Sequence, residues 1–250
     1  VYVDGTEIVG AGNKERASLR GVTVSYVPQS AAAAFNPSRL IMDQVVEISQ
    51  IHGLSSRKDA EARAIKLFRA LALPDPAGIG QRYSHQLSGG QLQRLSAAMA
   101  LIGNPKLVIF DEPTTALDVT TQIEVLHAFR SVMRKDGIAG VYVSHDLAVV
   151  AQVADRIIVL KGGELQEEGR TTSILHTPQH PYTRALLAAF EPVPHVPVSL
   201  PEQLGVKRPL LEVLSVSAGY GVKRNGQPAV KILDTVSFEI MRGQNLGVIG

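Results

Sequence analysis

The stretch LVIFDE, residues 107–112, constrains the fold more than any other part of the chain. Four consecutive apolar residues ended by two carboxylates suit a buried strand of a parallel sheet, because a strand covered by helices loses the alternation of a half-exposed one. Open α/β sheets place their ligands just past the carboxyl ends of such strands. The run therefore predicts an architecture and a location for chemistry at once. VTVSYV, residues 22–27, alternates and is β-branched, so it predicts another strand, stopped by Pro28. GVYVS, residues 140–144, predicts a further buried strand.

Between the strands, apolar residues recur at helical spacing over 40–52 and 57–73, and the Pro- and Gly-broken LPDPAGIG then ends the pattern. A third helix is expected over about 90–102. Glycine costs about 1 kcal/mol inside a helix, so Gly89 and Gly90 belong at its start. Further helices are expected over 118–135, with Asp118 as N-cap, and over 146–153. RIIVLKGGELQEEG, residues 156–169, reads as a hairpin around Gly162-Gly163. Strand–helix alternation of this kind argues for an α/β core. After it comes a Pro-rich linker, 191–209, then two strands over 210–220 and 230–240 and a third at NLGVIG, 245–250.

Several function classes drop out on composition. Lys and Arg total 25 and Asp and Glu 23, a net charge of +2, so charge does not imply a nucleic-acid partner. The absence of cysteine excludes disulfides, thiolate metal sites and iron–sulfur clusters. No apolar run approaches the ~20 residues that a membrane-spanning helix needs. VYVDGTEIVG has neither the charge nor the apolar core of a signal peptide. It also lacks an initiator Met, so the chain is expected to begin inside a longer protein.

The candidate chemistry gathers at the strand ends. Asp111 can hold a Mg²⁺, a hard cation that prefers carboxylate and phosphate oxygen, while Glu112 can orient or deprotonate a water. The same pair is also what a solvated acidic turn looks like. His145 can contact a γ-phosphate or an attacking water, or serve structure alone. Gln29 can sit in a metal's outer shell, or be a polar strand end. LSGGQ, residues 87–91, combines a Ser hydroxyl with a bare helix N-terminus, which favours anions; it is equally a Gly-rich turn capped by Ser88. Asp118 is a helix cap or a carboxylate that bridges to a second subunit.

Taken in order, VPQ (27–29), LSGGQ (87–91), LVIFDEPTTALD (107–118) and VSHD (143–146) resemble the ATP-binding-cassette ATPases. They match the Q-loop, the signature motif, the Walker B motif with its D-loop, and the switch histidine. The likeness covers about residues 1–170. HTPQHPYTRALLAAFEPVP (176–194) looks like the carboxyl extension of the oligopeptide, dipeptide and nickel importer ATPases, as do NPSRLIMDQVVE and DEPTTALDVTTQ.

The resemblance implies an α/β, P-loop NTPase-like (RecA-like) core over 1–175, truncated at its N-terminus, with an inserted helical subdomain at about 37–102. It implies the extension and linker over 176–209, and the first strands of a second such domain over 210–250. It implies ATP and Mg²⁺. Ser88, Gly89, Gly90, Gln91 and Asp118 then face nucleotide held by a second domain, in cis or in a homodimer. Gln29, Asp111, Glu112 and His145 serve the domain's own nucleotide: Glu112 polarises the water, Asp111 and Gln29 belong to the metal shell, and His145 steadies the phosphate.

The phosphate-cradling loop G-x-x-x-x-G-K-[ST] occurs nowhere in the sequence. The opening residues look like the strand after one such loop. VSFEIMRGQNLGVIG (236–250) looks like the lead-in to another, with Gly250 its first glycine and Tyr220 its adenine-stacking aromatic; without the resemblance, Tyr220 is equally a residue of a Gly-flanked turn. The chain alone is thus expected to bind ATP poorly and hydrolyse it negligibly. The complete protein is expected to power import of peptides, nickel or related solutes through a transmembrane permease, at the cytoplasmic face of the membrane. An extracytoplasmic solute-binding protein would be an indirect partner. The alternatives are a non-transport relative acting on ribosomes or DNA, and a catalytically incomplete fragment that contributes only a signature helix.

Overall fold

A computed structural model describes residues 1–113, 119–190, 209–221, 230–242, 244 and 246–247. It divides into two units, Val1–Glu191 and Pro192–Gly250.

In the first unit, Tyr2–Val3 (β1) and Thr6–Glu7 (β2) form a short antiparallel hairpin, followed by Asn13–Leu19 (α1) and Val24–Val27 (β3). Ala31–Ala34 (α2), Ile41–Val45 (α3), Glu47–Ile51 (α4), Arg57–Ala70 (α5) and Gly89–Leu101 (α6) make a helical block. Leu107–Asp111 (β4), Val119–Asp136 (α7), Ala139–Val143 (β5) and Leu147–Val153 (α8) come next. Arg156–Lys161 (β6) and Glu164–Arg170 (β7) form an antiparallel hairpin, and Thr171–His176 (α9) and Pro181–Phe190 (α10) close the unit. The second unit contains Leu211–Tyr220 (β8) paired antiparallel with Val230–Ile240 (β9). The expected third strand is not seen at Leu246 and Gly247, and the rest of 245–250, including Gly250, lies outside the described residues.

The central sheet has the order β3-β4-β5, all parallel, as the apolar run predicts. Its register aligns Val27 with Phe110 and Phe110 with Tyr142. On that face Phe110, fully buried, stacks on Phe129 of α7 at 5.2 Å and on Tyr142 at 4.7 Å. Burial lifts the Tyr142 phenol well above its ordinary range. The helices supply the rest of this core, with Phe68, Leu95, Leu101 and Phe129 fully or almost fully excluded from solvent. The other face carries Tyr26, Ile109, Val141 and Val143, and among the described residues it stays largely open: Tyr26 is 55% and Val143 47% exposed. β4 is thus buried on one face only, and its burial alternates despite the unbroken apolar sequence.

Helix boundaries obey local chemistry. The helix expected over 40–52 breaks at Val46, whose N–H reaches both Met42 and Gln44 carbonyls. Val45 and Val46 are both completely buried there, and β-branched side chains crowd the preceding turn. α5 stops before residue 73 because Ala72 turns left-handed (φ 52°), with Leu73 N–H closing on the Phe68 carbonyl at 2.9 Å. Arg63 donates to the Ile102 and Leu101 carbonyls, satisfying the end of α6. AAAA at 31–34 forms one helical turn, as alanine readily does.

The segment after the hairpin is helical and pinned. The Glu167 carboxylate on β7 accepts the Gln179 N–H at 2.8 Å and the His180 N–H at 3.0 Å, just ahead of α10. The Gln179 bond does most to hold the Glu167 carboxyl below its usual range. Lys161 lies over the Tyr182 ring, 4.6 Å from its centroid.

Candidate functional site

Because β3, β4 and β5 are parallel and in register, their carboxyl ends bring together residues far apart in the chain. Glu112 continues the β4 ladder by one bond, its N–H to the Val143 carbonyl at 2.9 Å, and then turns with φ 43°. A left-handed backbone at a non-glycine residue costs about 1–3 kcal/mol and persists where surrounding contacts fix it. Those contacts are present. Gln29 Nε2 donates to Glu112 Oε2 at 2.6 Å, and His145 Nδ1 lies 3.0 Å from Glu112 Oε1.

His145 is held at the entrance to α8. Asp146 Oδ1 accepts the Val149 N–H at 3.3 Å, an N-cap interaction, and the Asp146 N–H bonds Ser144 Oγ at 3.0 Å. The imidazole is 72% exposed while the Glu112 side chain is 25% exposed, so the acid is sheltered and the base faces outward. The hydrogen bond to Glu112, reinforced by its charge, raises the His145 pKa, so the ring keeps its proton to higher pH than an isolated imidazole.

Asp111 has a different partner. Tyr26 OH donates to Asp111 Oδ2 at 2.7 Å. That bond raises the Tyr26 phenol pKa. Sequence reasoning missed Tyr26. Its signal lay in the register: Tyr26 pairs with Ile109, so Asp111 is its diagonal neighbour on the same face, within reach of a long side chain.

Ser88 caps α6. The Gln91 N–H donates to Ser88 Oγ at 3.3 Å and the Ser88 N–H to Gln91 Oε1 at 3.0 Å, a reciprocal capping box. Ser88 and Gly89 are exposed, and a Cβ built on Gly89 would meet nothing within 4 Å. The cap and an accessible helix N-terminus therefore coexist, and Gly90 continues that first turn, half-buried. Asp118 lies outside the described residues. Tyr220 ends β8 opposite Val230 and is 74% exposed, in the second unit.

Among the described residues no three His, Asp or Glu gather as a metal site. Asp111 and the Gln29 amide carbonyl are nonetheless oxygen donors of the kind Mg²⁺ accepts, and Mg²⁺ commonly takes only one or two protein oxygens beside phosphate and water. The donor set fits a metal that shares its shell with a phosphate ligand.

The family model described as ABC transporter matches residues 1–115. A Staphylococcus aureus metal-staphylopine import system ATP-binding protein is 41% identical over 188 residues, covering 75% of this chain and 69% of that protein. An Escherichia coli dipeptide transport ATP-binding protein is 40% identical, covering 75% of this chain and 57% of that one. A Shigella flexneri glutathione import ATP-binding protein is 41% identical over 171 residues, which is 68% of this chain and 27% of that one. A dimeric ATP-binding cassette solved in a post-hydrolysis state with ADP and Pi superposes with a TM-score of 0.60 at 28% identity, covering 68% of this chain and 72% of that one.

Proposed function

Because the chain belongs to the ATP-binding proteins of the ABC transporter family, we propose that its strand-end cluster is the hydrolytic half of an ATPase site. The observation that carries this reading is one sheltered carboxylate, Glu112, gripped between Gln29 and an exposed His145 past the ends of parallel strands. Mg·ATP, when bound, supplies the electrophilic γ-phosphoryl group, and catalysis of its transfer to water is largely positioning and charge stabilisation. Glu112 orients and polarises the water. Asp111, fixed by Tyr26, and Gln29 supply oxygens to the metal shell. Protonated His145 donates to a phosphate oxygen. Ser88, Gly89, Gly90 and Gln91 present the α6 N-terminus to nucleotide held by a second domain, with Asp118 at the same junction. These 250 residues contain no phosphate-cradling loop.

The relatives' names support import of peptides or small metal complexes as the process powered. In this reading a permease is the membrane partner and the ATPase is peripheral on its cytoplasmic side. No helix among the described residues is long and apolar enough to cross a membrane. Residues 1–175 form the first cassette in this reading, with the helices of about 37–102 as its subdomain and 176–209 as extension and linker; 210–250 open a second, with Tyr220 and Gly250 serving its nucleotide.

The test is Glu112→Gln in the complete protein. ATP binding is retained while turnover falls by ~10²–10⁴, the usual contribution of a general base. Undiminished turnover would remove Glu112 from the role.

A further inference from the structure

The helices that come after Glu112 and His145 in the chain are α7 and α8, and they are fastened to each other at the trailing end of α8, the end away from His145. Arg130, on α7, donates from Nη1 to the Gln152 carbonyl at 3.1 Å and from Nη2 to Asp155 Oδ1 at 3.0 Å. Arg134, one turn on, reaches the same Asp155 oxygen at 3.4 Å. The last carbonyls of a helix have no internal partner, and a cation there also opposes the helix dipole. Arg130 thus closes the trailing end of α8 on both counts. Between this fastening and the site, Leu126 of α7 packs on Val149 and Val153 of α8, all three buried. The carbonyls of Ala154 and Asp155 accept the Thr171 hydroxyl and N–H, so the start of α9 meets the same point.

We propose that Arg130, together with Asp155, is a positioning residue that sets where His145 stands relative to Glu112. The proposal rests on reading that pair as the reacting centre. α8 is a strut about 10 Å long with His145 just before one end and the Arg130 clamp at the other; a tilt of ~10° about the clamped end displaces the His145 end by ~2 Å. The Glu112–His145 contact does not survive that displacement, since hydrogen bonds weaken steeply beyond their normal distance. A side chain that never touches the site therefore selects the orientation of one that does.

The test is NMR on the full chain, tracking the ¹⁵N shift of His145 Nδ1 at fixed pH, with Glu112→Gln as the reference for an imidazole freed from its carboxylate. In Arg130→Met, which keeps the apolar stem and deletes both donors, the shift moves at least halfway to that reference, while β4 and β5 amide signals stay in place. Arg130→Lys, a point charge without the fork, recovers less than half of the displacement. An unmoved His145 in folded Arg130→Met overturns the clamp and leaves the Glu112 reading standing. An unmoved His145 in Glu112→Gln overturns both. If Arg130→Met does not fold, Asp155→Asn weakens the clamp at an exposed side chain and is judged by the same two outcomes.

Discussion

Two substitutions of Ser88 separate its hold on α6 from its proposed service to a phosphate. The cap consists of one bond from the Gln91 N–H to Ser88 Oγ and a return bond from the Ser88 N–H to Gln91 Oε1. Ser88→Ala deletes only the first, because the second uses the backbone, so the expected loss is ~1 kcal/mol, at the middle of the range for N-caps. For a unit of this size that lowers the melting midpoint by roughly 2–4 °C. Ser88→Asp keeps an acceptor at the cap and adds about 0.3–1 kcal/mol from a negative charge at a helix N-terminus. Its melting midpoint therefore holds or rises. The same charge confronts an incoming phosphate, so turnover of the complete protein falls far more for Asp than for Ala. Thermal melts of the chain and ATPase assays of the complete protein read the two effects independently. An unchanged midpoint in Ser88→Ala would show that the cap contributes nothing, and full turnover in Ser88→Asp would end the phosphate role.

Glu112→Gln brings the His145 pKa down toward that of an isolated imidazole, seen in an NMR titration. Because the contact raises that pKa, its stabilisation is fully present below the ordinary imidazole value and is lost as pH rises through the elevated one; the variant loses this pH dependence. Phe110→Ala, which empties a fully buried position between two stacked rings, costs ~3–5 kcal/mol in urea unfolding, and a loss under ~1 kcal/mol would contradict the stack. Glu167→Gln speeds amide exchange at Gln179 and His180. In the unaltered chain the protection of these two amides, taken relative to their intrinsic exchange at each pH, falls as pH drops below the usual glutamate range, since the Glu167 carboxyl is held low by those bonds.

Much of the core was legible in the sequence because it is local. The apolar run of β4, the alternation of β3, the Gly162-Gly163 turn and the Ser88 start of α6 each depend on neighbours a few residues away. The features that stayed hidden depend on partners brought near by folding. Tyr26 and Asp111 are 85 positions apart, and only the parallel register makes them neighbours. α1 went unrecognised, and none of its residues is buried, so it carries no strong apolar stripe. The halving of the 40–52 helix reflects where Val45 and Val46 pack, which periodicity does not encode. Gln29, Glu112 and His145 were each singled out separately; that two of them clasp the third was visible only in the fold.

The left-handed turn at Glu112 means that two acids side by side answer to different clients. In an uninterrupted strand, adjacent side chains simply point to opposite faces; here a single dihedral steers the second acid toward Gln29 and His145 while the first keeps its tyrosine. Grafting the two carboxylates onto another sheet without that bend would reproduce their charge and lose their division of tasks.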